Sequence, residues 1–425
     1  MIKANPRTGS QHLGVLVLLM ALSVGQQTLA EEVPPGTVIS ADNLDALQDA
    51  TFEGHRIGDL LTESFQFWIR EHGLKMKLKA SDPVKLDPRY LEATEQNAGA
   101  VTLNPDGTVS GYRAGIPFPN VAVGDERAAL KLVWNHFYAN VGNPDNIASD
   151  APVYVMEADK GVIRELGGSN YKINMEGRYT GSAASFGEPG LHRKNLLALN
   201  SPYDLAGLGI YQVQFNDGRA DDVYVYVRSI RRVRRSGGGR AWMDSQPLMD
   251  LLNDDNQGLD AYPLWYEGFE LLGERWILAV VTAPDPNEPH TLADRVEQQS
   301  PWWNPVNVEW EPRKVRVIRA VPPKEHPYGY KVLYQDAAFP VFYHSEIYDK
   351  QGNFWRIWRQ NYHQATSVDG YPHMVLSATQ AIDFKFQRAT YIDGSRQAFN
   401  DPAVRPDDFS PKLLSRFASG QNGLK

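Results

Sequence analysis

The 425-residue chain contains no cysteine. That absence removes disulfides, thiolate nucleophiles and zinc–thiolate sites together, so the fold must rest on packing alone. Two common hydrolytic signatures are missing as well, for the sequence has no G-x-S-x-G elbow and no H-E-x-x-H helix. Beyond residue 30 no apolar run is long enough to span a bilayer. Positive charge is in deficit, with 43 Lys and Arg against 51 Asp and Glu and a net charge of −8. Such a balance argues against nucleic acid as a partner, because phosphate binding needs an excess of positive surface.

Aromatic residues are plentiful, with 10 Trp and 20 Tyr. These amphipathic rings suit a thick β core, and equally an apolar pocket with a wet rim. At the start of the chain Lys3 and Arg7 precede the apolar run Leu13–Val24, and Thr28-Leu29-Ala30 supplies small residues of a cleavage site. The expectation is an export leader, Met1–Ala30, cleaved after Ala30. Residues 31–425 are then expected to form one periplasmic domain, helix-rich over 31–150 and β-rich over 151–425. With no cysteine after the apolar run, no lipid anchor is expected.

Asp221–Arg240 organises the rest. Val223, Val225 and Val227 alternate with Tyr224, Tyr226 and Arg228, the period of a β-strand whose faces meet different surroundings. A kink is expected near Ser229. Arg231, Arg232, Arg234 and Arg235 follow, leading to a loop opened by Gly237, Gly238 and Gly239. Arginine forks match phosphates and carboxylates, so Arg228, Arg231, Arg232, Arg234 and Arg235 are candidates to meet a headgroup or an acidic partner. The plainer account is a charged sheet edge that blocks aggregation, with aspartates as partners.

Upstream, Asp59–His72 reads as an amphipathic helix stopped by Gly73. In Gly115–Asn140, Pro117 and Pro119 hold an extended lead-in around Phe118, and Asp125 caps a helix bearing Trp134, Asn135 and His136. A histidine on an apolar stripe is ordinarily a hydrogen-bonded core residue. From about Ala151 onward strand follows strand, and Asn216-Asp217-Gly218, Leu272-Gly273-Glu274 and Lys350–Asn353 read as hairpin turns. That succession implies antiparallel pairing in a large curved sheet. One layer of side chains does not fill the hollow of such a sheet. Tyr224, Tyr226, Trp242, Trp265, Phe269, Trp276, Trp355 and Trp358 are therefore candidates to line an apolar cavity, closed by helices of the N-terminal region.

Catalytic and metal sites fare worse. His344-Ser345-Glu346 alternates across a strand, so its members cannot converge. His363 and His373 lack a third metal ligand, and Asn253–Asn256 has the wrong offsets for a calcium loop. No catalytic residue, metal or cofactor is expected.

The segments GIPFPNVAVGDERAALKLVWNHF, FEGHRIGDLLTE, LDPRYLEATEQNAG, HPYGYKVLYQD and YDKQGNFWRIW together resemble the proteobacterial domain of unknown function 1329 family, over nearly the whole chain after the leader. Phe118, Trp134, Asn135 and His136 stand in the first of these motifs. VYVYVRSIRRVRRSGGG followed by LMDLLN resembles the strand–arginine–loop segment of outer-membrane lipoprotein-sorting proteins. The resemblance implies an α+β, mainly β fold, a curved antiparallel half-barrel covered by helices over an apolar cavity. Family members often stand beside genes for resistance-nodulation-division exporters and outer-membrane proteins. It therefore implies traffic in hydrophobic cargo, with an inner-membrane exporter and an outer-membrane protein as partners. The expected function is non-enzymatic binding of a lipid, acyl chain or other hydrophobic small molecule. An exported hydrolase or lipid-modifying enzyme with a nonstandard site, or an adaptor of an envelope complex, remains the alternative.

Overall fold

The computed structural model describes residues 31–139, 145–180, 189–236, 240–246, 248–402 and 404–421, without the side chains of residues 147, 149, 150 and 228. The leader-like segment and Gly237–Gly239 lie outside the described residues.

Thirteen longer strands carry the fold: β1 (Asn146–Glu157), β2 (Gly161–Asn174), β3 (Leu191–Ser201), β4 (Gly209–Phe215), β5 (Asp222–Val227), β6 (Arg232–Ser236), β7 (Gly268–Ala279), β8 (Glu309–Val321), β9 (Tyr330–Asp336), β10 (Phe342–Tyr348), β11 (Phe354–Thr366), β12 (Pro372–Asp383) and β13 (Arg388–Asp393). They join one large curved sheet in the order β7-β8-β9-β10-β11-β12-β13-β1-β2-β3-β4-β5-β6, every neighbouring pair antiparallel. Short strands at Val38–Ile39, Met76–Leu78 and Gln397–Phe399 bring the total to 16 among the described residues. The sheet does not close on itself; β6 forms one end, and at the other the edge of β8 is shared by β7 and the short strand Met76–Leu78, which pairs in turn with Val38–Ile39. The fold is α+β and mainly β.

Two glycine sites change the reading of the strands. Gly273, at φ 136°, sits in a bulge where β7 shifts register, so Leu272-Gly273-Glu274 does not turn the chain. An extra residue absorbed as a bulge bends a strand without ending it. A second register shift at Gly167 and Gly168 lets β2 run unbroken across this glycine pair. The kink expected near Ser229 is present, as a 3₁₀ turn over Arg228–Ile230.

Helices pack on both faces. Helix α1 (Glu63–His72) is capped by Thr62, which accepts from the Phe65 amide, and ends at Gly73 in the left-handed region. It lays Phe65, Trp68 and Ile69 against Ile357, Ile382 and Tyr391. Helix α2 (Pro88–Asn97) starts at Asp87, whose side chain accepts from the Arg89 amide. Helix α3 (Ala128–Ala139) buries Leu132 and Val133 against Ile318, Leu333 and Phe342. The register pairs Leu333 with Ser345 and Ser345 with Trp358, so α3 covers the face opposite to α1. We call the α3 side the inner face. Helix α4 (Lys412–Ala418) packs Leu413, Leu414 and Phe417 on Tyr171, Leu196 and Tyr211 of the outer face.

The rest of the inner face is covered by a strap, residues 240–262, built of short 3₁₀ turns and loop. Its Met249 and Leu251 pack with Val153, Leu166, Leu199 and Trp358. This corrects the expected cover. Helix α3 roofs only the β7–β10 end, and the strap fills most of the hollow that N-terminal helices were expected to close.

Candidate functional site

A cavity of about 180 Å³ remains between the strap and β1–β4. An engineered apolar cavity of about 150 Å³ holds one benzene, so this void is sized for a compact guest and not for a whole lipid. Strand register builds its wall. Asn146 pairs with Lys172, Lys172 with Asn195, and Asn195 with Gln212, giving one polar row across four strands. Two residues along each strand, on the same face, the row is Ala148, Asn170, Leu197 and Ile210. Trp358, Met249, Leu376 and Ile392 add apolar surface, while Gln246, Asn253 and Asn256 face the void from the strap. The cavity is therefore two-ended, apolar toward β12 and polar along the first row.

Three inner-face cations distinguish themselves by their partners. Lys331 on β9 is fully buried, forms ion pairs with Asp254 and Asp255 of the strap at 2.9 Å each, and donates to the Asp254 and Gly258 carbonyls at 3.1 and 3.2 Å. Burial alone lowers an ammonium's pKa, but here the two carboxylates reverse the effect and hold Lys331 above its ordinary value. Tyr266 also donates to Asp254, and Tyr328 to Asp255 at 2.7 Å. Arg193 on β3 donates to Asp260 and Gln214, which ties the far end of the strap to the sheet.

Lys172 on β2 differs from both. Among the described residues its side chain makes no hydrogen bond and no ion pair. Its surface is only part-covered because it borders the cavity, yet it lies deep in the molecule. Burial, reinforced by Arg193, lowers its pKa to about 8, against the smaller opposing pull of Asp145 and Asp260. Nearby, burial raises Asp221 to about 7, although Gln212 donates to its carboxylate at 2.7 Å. The Asn146 side-chain carbonyl is buried without a donor.

Of the eight aromatic residues expected to line the cavity, Trp358 does so. Tyr224 and Tyr226 point to the outer face, where Tyr224 meets Tyr211 and both pack near α4. The strand alternation was read correctly, but its valine side is the inner one. Trp242 stacks on Trp265 at 5.9 Å beside Tyr266, and Phe269 joins the same cluster under α3. Trp276 lies over His55 at 4.1 Å on the surface of β7. Trp355 donates to Asp383 at 2.9 Å beneath the Arg356 guanidinium. These seven are packing residues away from the void. Residue type alone does not tell a core ring from a wall ring.

The arginines are exposed on the terminal strand. Arg231, at φ 51°, leads into β6, where Arg232, Arg234 and Arg235 are all exposed. Arg235 pairs with Asp222, as the plainer account expects, while Asp254 and Asp255 belong to Lys331. Strands β5 and β6 lie beyond β4, the last strand of the cavity wall, so this edge is separate from it. Arg228 belongs to the 3₁₀ turn, and its side chain lies outside the described residues.

The α3 motif is a fastening. Asn135 accepts from the Phe118 amide and donates to the Phe118 carbonyl, both at 2.8 Å, which pins the extended lead-in to the helix. Trp134 donates to the Gly107 carbonyl at 2.9 Å. His136 contacts the Pro340 carbonyl at 3.1 Å, and burial lowers its pKa to about 3, so it stays neutral. Phe118, with Arg127 and Lys131, also borders a shallower depression of about 700 Å³ beside the Thr102–Ser110 hairpin.

No cluster of three or more potential metal ligands occurs among the described residues. His344 faces Phe65 of α1 on the outer side while Ser345 aligns with Trp358 on the inner, which keeps the triad types apart. Sequence reasoning missed Lys172, Asn195, Gln212 and the whole of β3. The signal available was the alternation of polar residues Asn170, Lys172 and Asn174 within a strand otherwise rich in buried side chains.

A family model for a protein of unknown function, DUF1329, matches residues 38–415. The chain belongs to the DUF1329 family. Among solved structures, a domain described as a candidate outer membrane lipoprotein-sorting protein from Vibrio parahaemolyticus is 17% identical, with a TM-score of 0.45 over 64% of this chain and 92% of that one. A DUF1329 family protein from Desulfovibrio piger is likewise 17% identical, with a TM-score of 0.45 over 67% and 95%. A LolA superfamily protein from Nitrosomonas europaea is 11% identical, with a TM-score of 0.37 over 63% and 90%. No curated protein matches the chain. At these scores the solved structures carry no argument about what this DUF1329 chain binds, and the reading below rests on its own geometry. No helix among the described residues is long and apolar enough to cross a membrane.

Proposed function

We propose that this DUF1329 protein is a non-enzymatic periplasmic binding protein or carrier for a hydrophobic small molecule, which it passes between envelope partners. The observation that carries the reading is the half-enclosed cavity under the strap, with Trp358, Leu197 and Ile210 on one side and a polar row on the other. Small-molecule sites are commonly concave and apolar with a few placed polar groups. Met1–Ala30, read as an export leader, supports the compartment. The exposed Arg231, Arg232, Arg234 and Arg235 edge supports docking to an anionic partner, apart from the cargo site.

Each buried methylene contributes about 0.8 kcal/mol, so a six-carbon apolar body supplies about 5 kcal/mol before ordering costs. Native mass spectrometry of the chain purified without detergent, followed by solvent extraction, tests the reading. A co-purified hydrophobe, or a mass shift on adding one, is the expected result. A protein that carries none and takes up none would end the carrier proposal.

A further inference from the structure

We propose that the cargo of this cavity is a compact amphipathic monocarboxylate, with its carboxylate on the Lys172 ammonium and its apolar body against Trp358. The inference rests on the binding-protein reading and narrows it to one chemical class. Three observations carry it.

The first is the missing partner of Lys172. Two other inner-face cations that reach the strap have theirs: Asp254 and Asp255 neutralise Lys331, and Asp260 neutralises Arg193. Lys172 meets no carboxylate within hydrogen-bonding distance among the described residues, although it stands in the wall of a void. An unpaired cation inside a protein is costly, and an incoming anion relieves that cost at the moment of binding.

The second is the kind of anion that fits. Asp260 and Asp393 also line the void, so a dianion such as a phosphate monoester meets charge of its own sign and is repelled more than a monoanion. The Arg193 fork is already occupied by Asp260 and Gln214. A single ammonium beside neutral Asn146, Asn195 and Gln212 suits a monoanion, and a carboxylate is the compact one.

The third is size and polarity. A void of about 180 Å³ holds about six water volumes and has one apolar end. That space takes a carboxylate with a six- to eight-carbon body, and excludes two acyl chains.

Isothermal titration calorimetry of the full chain with sodium octanoate, and separately with octanol, tests the class. Octanoate should bind at least tenfold more tightly than octanol. Lys172→Met should abolish that preference while retaining octanol, and Lys172→Arg should restore part of it. Equal affinity for the two probes in the unaltered protein would overturn the inference while leaving the binding-protein reading intact. So would undiminished octanoate binding by Lys172→Met. Failure to bind either probe would remove both. Because the octanoate–octanol comparison uses the unaltered chain, it decides the matter even where a variant does not fold.

Discussion

Lys331 and Lys172 occupy the same face of the same sheet, and the structure treats them in opposite ways. Lys331 sits among two carboxylates and two carbonyls, and its pKa stands above the ordinary value. Lys172 sits beside a void with no side-chain partner in hydrogen-bonding reach among the described residues, and its pKa is lowered to about 8. The first arrangement ties a strap to a sheet. On the reading proposed above, the second leaves an electrostatic demand that an incoming anion meets. Burial is common to both, so burial does not separate a structural cation from a binding one. The partner count does.

The comparison predicts stability changes of opposite sign. Lys331→Met should destabilise by about 3–5 kcal/mol, because Asp254 and Asp255 are then left buried without their cation. Urea unfolding should show a large loss of midpoint with the slope retained. A loss under 1 kcal/mol would mean that the strap does not depend on this node. Low pH should act on the same node. Burial pushes the Asp254 carboxyl up, but Lys331 and His326 more than offset it and hold it below the usual carboxylate range. Its contribution is therefore present above the unfolded-state pKa near 4, and is lost as pH falls through the lower folded value.

Lys172→Met should instead stabilise the ligand-free protein, by about 2 kcal/mol near pH 7, since it removes a charge held in an unfavourable place. The sign follows from proton counting. Between about pH 8 and the ordinary lysine value the unfolded chain holds a proton on Lys172 that the folded chain has lost. Stability due to this group therefore rises with pH across that window and is at its lowest below it. The groups that act on it are Arg193, which opposes its charge, and Asp145 and Asp260, which favour it. Thermal melts from pH 7 to 10 on both proteins should converge as pH rises. A variant less stable than the parent at pH 7 would place Lys172 with Lys331 as a structural cation.

A smaller effect is expected from the fastening on α3. Asn135→Ala removes two hydrogen bonds to Phe118 and leaves that backbone partly unsatisfied, at a cost of about 1–2 kcal/mol. Octanoate binding should not change, because Asn135 lies outside the cavity wall. Altered binding would show that α3 reaches the site through the sheet.

How far the sequence could lead follows from the same residues. Alternation located most of the strands, because the period of two survives whatever packs on either side. The α1 boundaries were close, as Gly73 and the stripe of Trp68 and Ile69 are local signals. The face of β5 was not legible, since the outer layer is α4, some 185 residues later in the chain. Nor was β3, whose Arg193, Asn195 and Leu197 look like the polar–apolar mixture of a loop until β2 and β4 flank them. Lys172 was invisible for a different reason. Its significance is a missing contact, and a missing contact exists only once every neighbour has been placed.

The exposed arginines supply the last and smallest term, because they separate charge from burial. Arg231, Arg232, Arg234 and Arg235 are all solvated, and Arg235 alone of the four has an ion pair among the described residues, with Asp222. Exposed pairs of that kind contribute at most about 1 kcal/mol. Replacing all four by serine should therefore change the unfolding free energy by less than about 1 kcal/mol, and should leave octanoate affinity unchanged. What should change is association. Strand β6 is the open end of the sheet, and its unpaired backbone is a template for another strand once the like charges that repel a second copy are gone. Light scattering at rising protein concentration should show the variant self-associating while the parent stays dispersed. A variant as dispersed as its parent would free these arginines from edge protection and leave partner docking as their role.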